Sequence, residues 1–210
     1  IGQQRNYYCS IRNPVYEDLW GFEPGRYSSK RDLPMDLSKA LKKYDIRMML
    51  YITGHPFATE GDGAKKSEKV GWKWDARGGR RRSATPEASK KWCRAVEWWS
   101  KHYGKACSGW WVDGNNGFVP GHAIALDKAL RSGNPDAIVS TSFNSLSDIY
   151  HGHCGGWSKQ QANVPPQGPD VYSGWTLYSQ RDLAKEISPE QGRWLPLWKI
   201  QCHALQFLGT

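Results

Sequence analysis

Asp113 closes the run Ser108 to Asp113 (SGWWVD), in which two tryptophans and a valine lead into a carboxylate followed by Gly114. A buried apolar strand that ends in an acid holds a charge at its tip, where it can act as nucleophile or base. An aspartate that merely caps the next loop has the same local sequence. Glycosidic bond hydrolysis normally takes two carboxyl groups, ~5 Å apart in retaining sites and farther apart in inverting ones. No second carboxyl declares itself. Glu60 follows an earlier strand, Asp148, Asp170 and Glu186 lie on later loops, and each reads equally as a solvated surface acid. Histidine supplies further candidates in His55, His151, His153 and His203. Each suits proton transfer or hydrogen bonding to hydroxyl groups, and each also suits a satisfied loop position. His151 and His153 would make two metal ligands, but no third stands at a recognisable spacing, so no metal is expected. Asn144, at another strand end, completes the polar set. Trp111, Trp157 and Trp175 offer flat faces on which a sugar ring can stack, although packing is the commoner use of tryptophan.

One segment is strongly basic. Lys65, Lys66, Lys69, Lys73, Arg77, Arg80, Arg81 and Arg82 stand against Glu68 and Asp75, with Trp72 and Trp74 interleaved. A solvated loop is the plain reading of such a run. If it overhangs a site it would attract anionic substrates, such as sulfated or acidic glycans, from Lys65 to Arg82. Nucleic-acid binding ranks below both readings, because it gives the strand-end aspartate no purpose.

These residues sit in a chain of 210 with net charge +9, 39% hydrophobic residues, 12 Trp and 10 Tyr. That apolar content excludes wholesale disorder. No apolar run approaches the length of a membrane-spanning helix, so no membrane partner is expected. No signal-type stretch opens the chain, and a start at Ile1 suggests that the natural beginning lies upstream. The five cysteines are widely spaced and form no C-x-x-C pair, which reads as free buried thiols rather than a zinc site or a disulfide scaffold.

The elements that must position the candidates alternate along the chain. Residues 32–44 carry Leu33, Leu37, Ala40, Leu41 and Tyr44 on one helical stripe, with Asp32 as N-cap and Pro34 in the first turn. Ile46 to Thr53 (IRMMLYIT) reads as a strand covered on both faces and stopped by Gly54, His55 and Pro56. A second helix opens at Thr85-Pro86-Glu87, repeats Ala88, Trp92, Val96, Trp99 and Tyr103, and stops at Gly104. Then follow the SGWWVD strand, a helix from about Gly121 to Ser132, and a strand from Ala137 to Phe143. Beyond it, residues 144–180 read as long loops around a short strand near Tyr150. Arg181 to Ile187 is a helix candidate and Trp198 to Leu208 a strand candidate. This order predicts right-handed crossovers and a parallel sheet. An open doubly wound sheet and a (β/α) barrel both satisfy it. No dinucleotide or phosphate-loop glycine pattern follows any strand, so no cofactor is expected. Polar residues at the C-terminal strand ends (His55, Asp113, Asn144) favour the α/β barrel of TIM type. A full barrel needs ~250 residues and about five strands are legible, so the expectation is one incomplete domain over 1–210, a central slice of the barrel, with a basic loop insertion at about 56–84.

The ordered segments Arg31-Asp32-Leu33, the amphipathic helix, IRMMLYIT and WWVDG resemble the α-L-fucosidase family of glycoside hydrolases and its fucosidase-like relatives. Ile1-Gly2-Gln3 with Tyr7-Tyr8-Cys9-Ser10, the run Asn134 to Val139 (NPDAIV) and the run Gln201 to Gly209 are also similar to a branch of that family. The resemblance implies a metal-free retaining barrel hydrolase, incomplete and holding about strands 2 to 6, acting on carbohydrate, with Asp113 as nucleophile and a secreted, periplasmic or lysosomal-type location. Two departures accompany it. Nothing near Gln3 to Ser10 matches the His-His-Asp-Gly segment that holds fucose, and Gly152-His153-Cys154-Gly155 stands where the branch tends to show Gly-Glu-Phe-Asn. The acid/base therefore has no assignment. A non-catalytic carbohydrate-binding protein on the same scaffold is the leading alternative.

Overall fold

The structure is a computed structural model that describes residues 1–2, 5–73, 83–113, 119, 121–141, 149–152, 194–195 and 200–204, from 141 onward by backbone alone. Its elements in chain order are α1 (Pro14–Trp20), α2 (Leu33–Lys42), β1 (Met49–Thr53), α3 (Gly61–Val70), β2 (Trp72–Lys73), β3 (Ser83–Ala84), α4 (Pro86–Tyr103), a 3-10 turn (Gly104–Ala106), β4 (Gly109–Asp113), α5 (His122–Arg131), β5 (Ile138–Thr141), β6 (Ile149–Gly152), β7 (Trp194–Leu195) and β8 (Ile200–Ala204).

Capping chemistry starts the helices where the sequence places it. Asp32 Oδ1 accepts from the Met35 N–H at 3.3 Å, and Thr85 Oγ1 accepts from the Ala88 N–H at 3.1 Å, each with proline in the first turn. Asp32 also takes a hydrogen bond from Tyr103 Oη at 3.0 Å and meets His102 Nε2 at 2.5 Å, which ties the start of α2 to the end of α4. α1 has the same construction on a smaller scale. Asn13 caps it by accepting from the Tyr16 N–H at 3.0 Å, Pro14 opens it, and Gly21 closes it at φ 65°. Seven residues offer too few turns for a periodic signal, and the helix is absent from the sequence reading. Its stability comes from docking: Asn13 Nδ2 donates to Ala95 O of α4 at 2.9 Å, and Tyr16 packs edge-on against Trp92.

The α4 stripe is buried as its spacing predicts. Ala88, Trp92, Val96, Trp99 and Tyr103 join Tyr8, Tyr16, Trp20, Phe57, Leu50, Ile52, Trp110, Val112 and Val139 in one core. α5 packs on α4, and Gly133 makes the close approach possible. A Cβ there would lie 1.9 Å from Ser100 O, while the Gly133 N–H donates to Ser100 Oγ at 3.0 Å. The α2 stripe behaves differently. Leu33, Leu37 and Tyr44 are exposed, and α2 touches the core through Leu41 of the stripe and through Met35, which lies outside it. Helical spacing identifies a face but not what covers it.

The expected (β/α) barrel is not what the strands build. The described strands form an open six-stranded sheet in the order β1-β4-β5-β6-β8-β7, with a separate β2-β3 hairpin. β1, β4, β5, β6 and β8 pair in parallel, β7 runs antiparallel to β8, and β1 and β7 are the two edges. Closure would require the edges to meet with a matching shear. The alternation of helix and strand dictates parallel neighbours but carries no information about closure. β1 also departs from the expectation of cover on both faces: Leu50 and Ile52 are buried, whereas Met49 is exposed and Tyr51 half-buried. The helix candidate over 181–187 lies outside the described residues.

The span from 56 to 84 contains α3 and the β2-β3 hairpin. Trp20 Nε1 donates to Ser67 Oγ at 3.1 Å, and Ser67 Oγ donates to Ala58 O at 2.7 Å, which packs α3 on α1. Lys66 Nζ bonds Gly21 O and lies over the Phe22 ring. Lys65, Lys69 and Lys73 are exposed, and Arg77 and Arg80 to Arg82 lie outside the described residues.

Two fully buried tryptophans of α4 differ in one respect. Trp99 Nε1 donates to Ser10 Oγ at 2.8 Å, whereas Trp92 Nε1 has no hydrogen-bond partner among the described residues. Trp99→Phe therefore destabilises more than Trp92→Phe by about 1 kcal/mol, the net worth of one intramolecular hydrogen bond. Urea unfolding of the two variants measures that difference.

Candidate functional site

Asp113 sits at the carboxyl end of β4, opposite Thr53 at the carboxyl end of β1. In open parallel sheets, ligands bind outside this edge. The tip is closed by backbone bonding one residue farther on. The Gly54 N–H donates to Asp113 O at 2.7 Å, and Gly54 O accepts from His122 Nε2 at 3.0 Å. Because a carbonyl only accepts, Nε2 of His122 carries the proton, and Nδ1 accepts from the Ser89 hydroxyl at 2.6 Å. Trp72 packs edge-on against the same imidazole. Burial favours the neutral ring and pushes the His122 pKa down to about 4.

The Asp113 side chain is half-buried and accepts a hydrogen bond at Oδ2 from Tyr51 Oη at 2.5 Å. The Tyr51 ring stacks on Trp111, its register partner, with centroids 5.2 Å apart and planes 23° apart. Tyr51, Trp111 and Asp113 therefore share the sheet face opposite to Leu50, Ile52, Trp110 and Val112, because side chains alternate along a strand.

Register carries the strand levels across the sheet. Val112 pairs with Thr141, Thr141 with Tyr150, and Tyr150 with Cys202. One position beyond this row stand Thr53, Asp113, His151 and His203, with His151 and His203 themselves paired. Asp113, His151 and His203 thus occupy one level at the carboxyl edge. Strand spacing sets His151 about 10 Å from Asp113, backbone to backbone.

The other candidates fall elsewhere. His55 is 1% exposed, its Nδ1 is 3.0 Å from Pro56 O, and Thr53 Oγ1 donates to His55 O at 2.6 Å, so it is built into the loop that follows β1. Trp111 lies beside Asp113. Asn144, His153, Trp157 and Trp175, like Asp148, Asp170 and Glu186, lie outside the described residues. Glu60 points into an exposed pair with Arg5. Among the described residues no cluster of three His, Cys, Asp or Glu is placed to hold a metal, and no helix is long and apolar enough to cross a membrane. Cys93 and Cys107 are buried free thiols whose pKa values burial pushes up to about 12 and about 11, which keeps them protonated and unreactive. Cys9 is free and half-buried.

Tyr51, Ser89 and His122 are missing from the sequence reading. Tyr51 is hidden in an apolar run, and His122 and Ser89 lie inside amphipathic helices. Only the period-2 alternation backwards from Thr53 carries a signal, since it sets Tyr51 on the same face as the strand tip.

No protein-family model matches the chain, and no curated protein matches it either. The chain aligns with two solved structures. One is the endo-fucoidan hydrolase MfFcnA4 from glycoside hydrolase family 107, at 15% identity and a TM-score of 0.48. The other is a histidine-to-glutamine variant of the same enzyme, at 13% identity and a TM-score of 0.50. In each case 73% of this chain aligns and spans 30% of that chain. The second likeness is one of fold: over the aligned residues the chain is folded like part of that protein.

Protonating His122 inside the fold costs stability. The unfolded ring titrates near 6.5 and the folded one near 4, so the folded state binds fewer protons between those values. Its contribution is complete above pH 6.5 and is lost as pH falls toward 4, by about 3 kcal/mol in total. Urea denaturation from pH 7 to pH 4 shows that slope in the wild type, and His122→Asn flattens it.

Proposed function

We propose that the chain is the Asp113-bearing part of a retaining glycoside hydrolase. The observation that carries this reading is the placement of Asp113 at the carboxyl edge of the parallel sheet, half-buried, oriented by Tyr51 and flanked by the Tyr51–Trp111 stack. The fold likeness to an endo-fucoidan hydrolase and the segments that resemble α-L-fucosidases support a fucose-type sugar.

In the first step an Asp113 carboxylate oxygen attacks the anomeric carbon. The bond to the leaving oxygen breaks, its electron pair stays on that oxygen, and a general acid protonates it. In the second step the conjugate base takes a proton from water. The water oxygen attacks the anomeric carbon, and the Asp113 carboxylate departs with the electrons of the ester bond. We assign the general acid to the paired histidines, because His151 and His203 are the titratable residues that share the level of Asp113 among the described strands. Histidine titrates close enough to neutrality to give a proton and take one back. The half-buried Trp111 offers its edge to a sugar ring beside the nucleophile.

Lys65 and Lys69 on α3 and Lys73 on β2 are exposed on the segment that follows the carboxyl end of β1. Together with the remaining cations up to Arg82 they favour an anionic glycan. Raising salt from 50 to 500 mM weakens binding of a sulfated fucan at least tenfold and leaves its desulfated form unchanged, as read by calorimetry.

The competing reading is a carbohydrate-binding protein without turnover. It is favoured by the lack of a second carboxylate in the row of Asp113 among the described residues. Asp113→Asn separates the two readings. The hydrolase reading expects turnover of fucans and aryl fucosides, measured on the longest available form of the protein, to fall at least 1,000-fold with glycan affinity retained. Full binding by a wild type that turns over none of these substrates supports the second reading instead. Release of oligosaccharides or of single sugars then decides between internal and terminal cleavage.

A further inference from the structure

We infer that Tyr51 is the positioning residue of the Asp113 nucleophile, an inference that rests on the hydrolase reading above. Three observations converge on it. Tyr51 Oη lies 2.5 Å from Asp113 Oδ2, the distance of a charge-assisted O–H···O⁻ bond. The two residues are on neighbouring strands two positions apart in register, so the phenol reaches forward along the sheet to the strand tip. The ring is held in that direction by its stack on Trp111, which comes from the same strand as Asp113.

This arrangement has a direction in the reaction. A phenol donates a stronger hydrogen bond to a carboxylate than to the ester formed when Asp113 bonds the anomeric carbon. Tyr51 therefore favours the state in which Asp113 is a free carboxylate. It orients the nucleophile before attack, and it promotes the step in which water displaces the carboxylate from the glycosyl-enzyme. Without the phenol, departure of Asp113 is the step most impaired, and the covalent intermediate accumulates. Accumulation lowers kcat and KM together, whereas loss of a substrate contact raises KM.

The test is Tyr51→Phe, which keeps the ring and its stack on Trp111 and removes only the hydroxyl. An aryl fucoside with a good leaving group and a sulfated fucan serve as substrates. The expected result is a kcat at least tenfold lower with a lower KM. Mass spectrometry of the acid-quenched reaction shows one added glycosyl group on Tyr51→Phe and none on Tyr51→Phe combined with Asp113→Asn. Circular dichroism and the urea midpoint confirm that the single variant is folded. A kcat within twofold of wild type overturns the inference, and so does a lower kcat with raised KM and no adduct. In both cases loss of turnover in Asp113→Asn leaves the hydrolase reading standing. If Asp113→Asn turns over as fast as wild type, the hydrolase reading fails and the role of Tyr51 falls with it. Should Tyr51→Phe be unfolded, Trp111→Leu, which frees the Tyr51 ring while leaving its hydroxyl, is expected to lower kcat at least tenfold and to leave the same glycosyl adduct on acid quenching, whatever the change in KM. An unchanged kcat in that variant overturns the inference.

Discussion

The peptide group of Gly54 is bonded on both sides: its N–H to the carbonyl of Asp113, its carbonyl to the ring of His122. The first bond continues the β1–β4 ladder one residue past the last paired position, so the two strand tips cannot splay. The second fastens those tips to α5 and, through Ser89, to α4. Backbone groups that leave a sheet edge must otherwise find water or another partner. Here they find a buried imidazole, and burial keeps that imidazole neutral. The position of Asp113 thus follows from a chain of obligatory hydrogen bonds running back into the most tightly packed part of the molecule.

The sheet divides its labour between two faces. One face contributes Leu50, Ile52, Trp110, Val112 and Val139 to a core crowded with aromatic rings from α1 and α4. Those rings meet mostly edge to face, as their quadrupoles prefer. The other face carries Tyr51, Trp111 and Asp113. Its aromatic pair is stacked rather than edge-on, half-buried rather than buried, and bonded to a carboxylate. An apolar floor next to a charge is the usual composition of a ligand site. Among the described tryptophans, Trp20, Trp72, Trp92, Trp99 and Trp110 are buried in the core, whereas Trp111 is half-buried beside Asp113.

Elements governed by neighbours in the chain were legible without coordinates. Thr85-Pro86-Glu87 and Gly104 bracket α4, and its apolar stripe is the core stripe. SGWWVD is a strand with its acid at the tip, and the strand near Tyr150 is present. α1 was not legible, because seven residues held by docking leave no periodic trace. The pairing of β2 with β3 was not legible either, because two-residue strands are too short to show an alternation. The exposed stripe of α2 shows the converse failure, where a clear pattern does not say what lies against it.

Caps, apolar periods and strand-ending acids are written in the chain because each depends on side chains only a few residues apart. Closure and register are not, because they depend on backbone groups that meet across tens of residues and carry no residue-specific label. The strands therefore read as parallel neighbours, and an open sheet with an antiparallel edge looked the same as a barrel. In the same way Asp113 could be singled out alone. Its alignment with Tyr51, 62 residues away, and with His151 and His203 at the same level emerged only once the strands had paired.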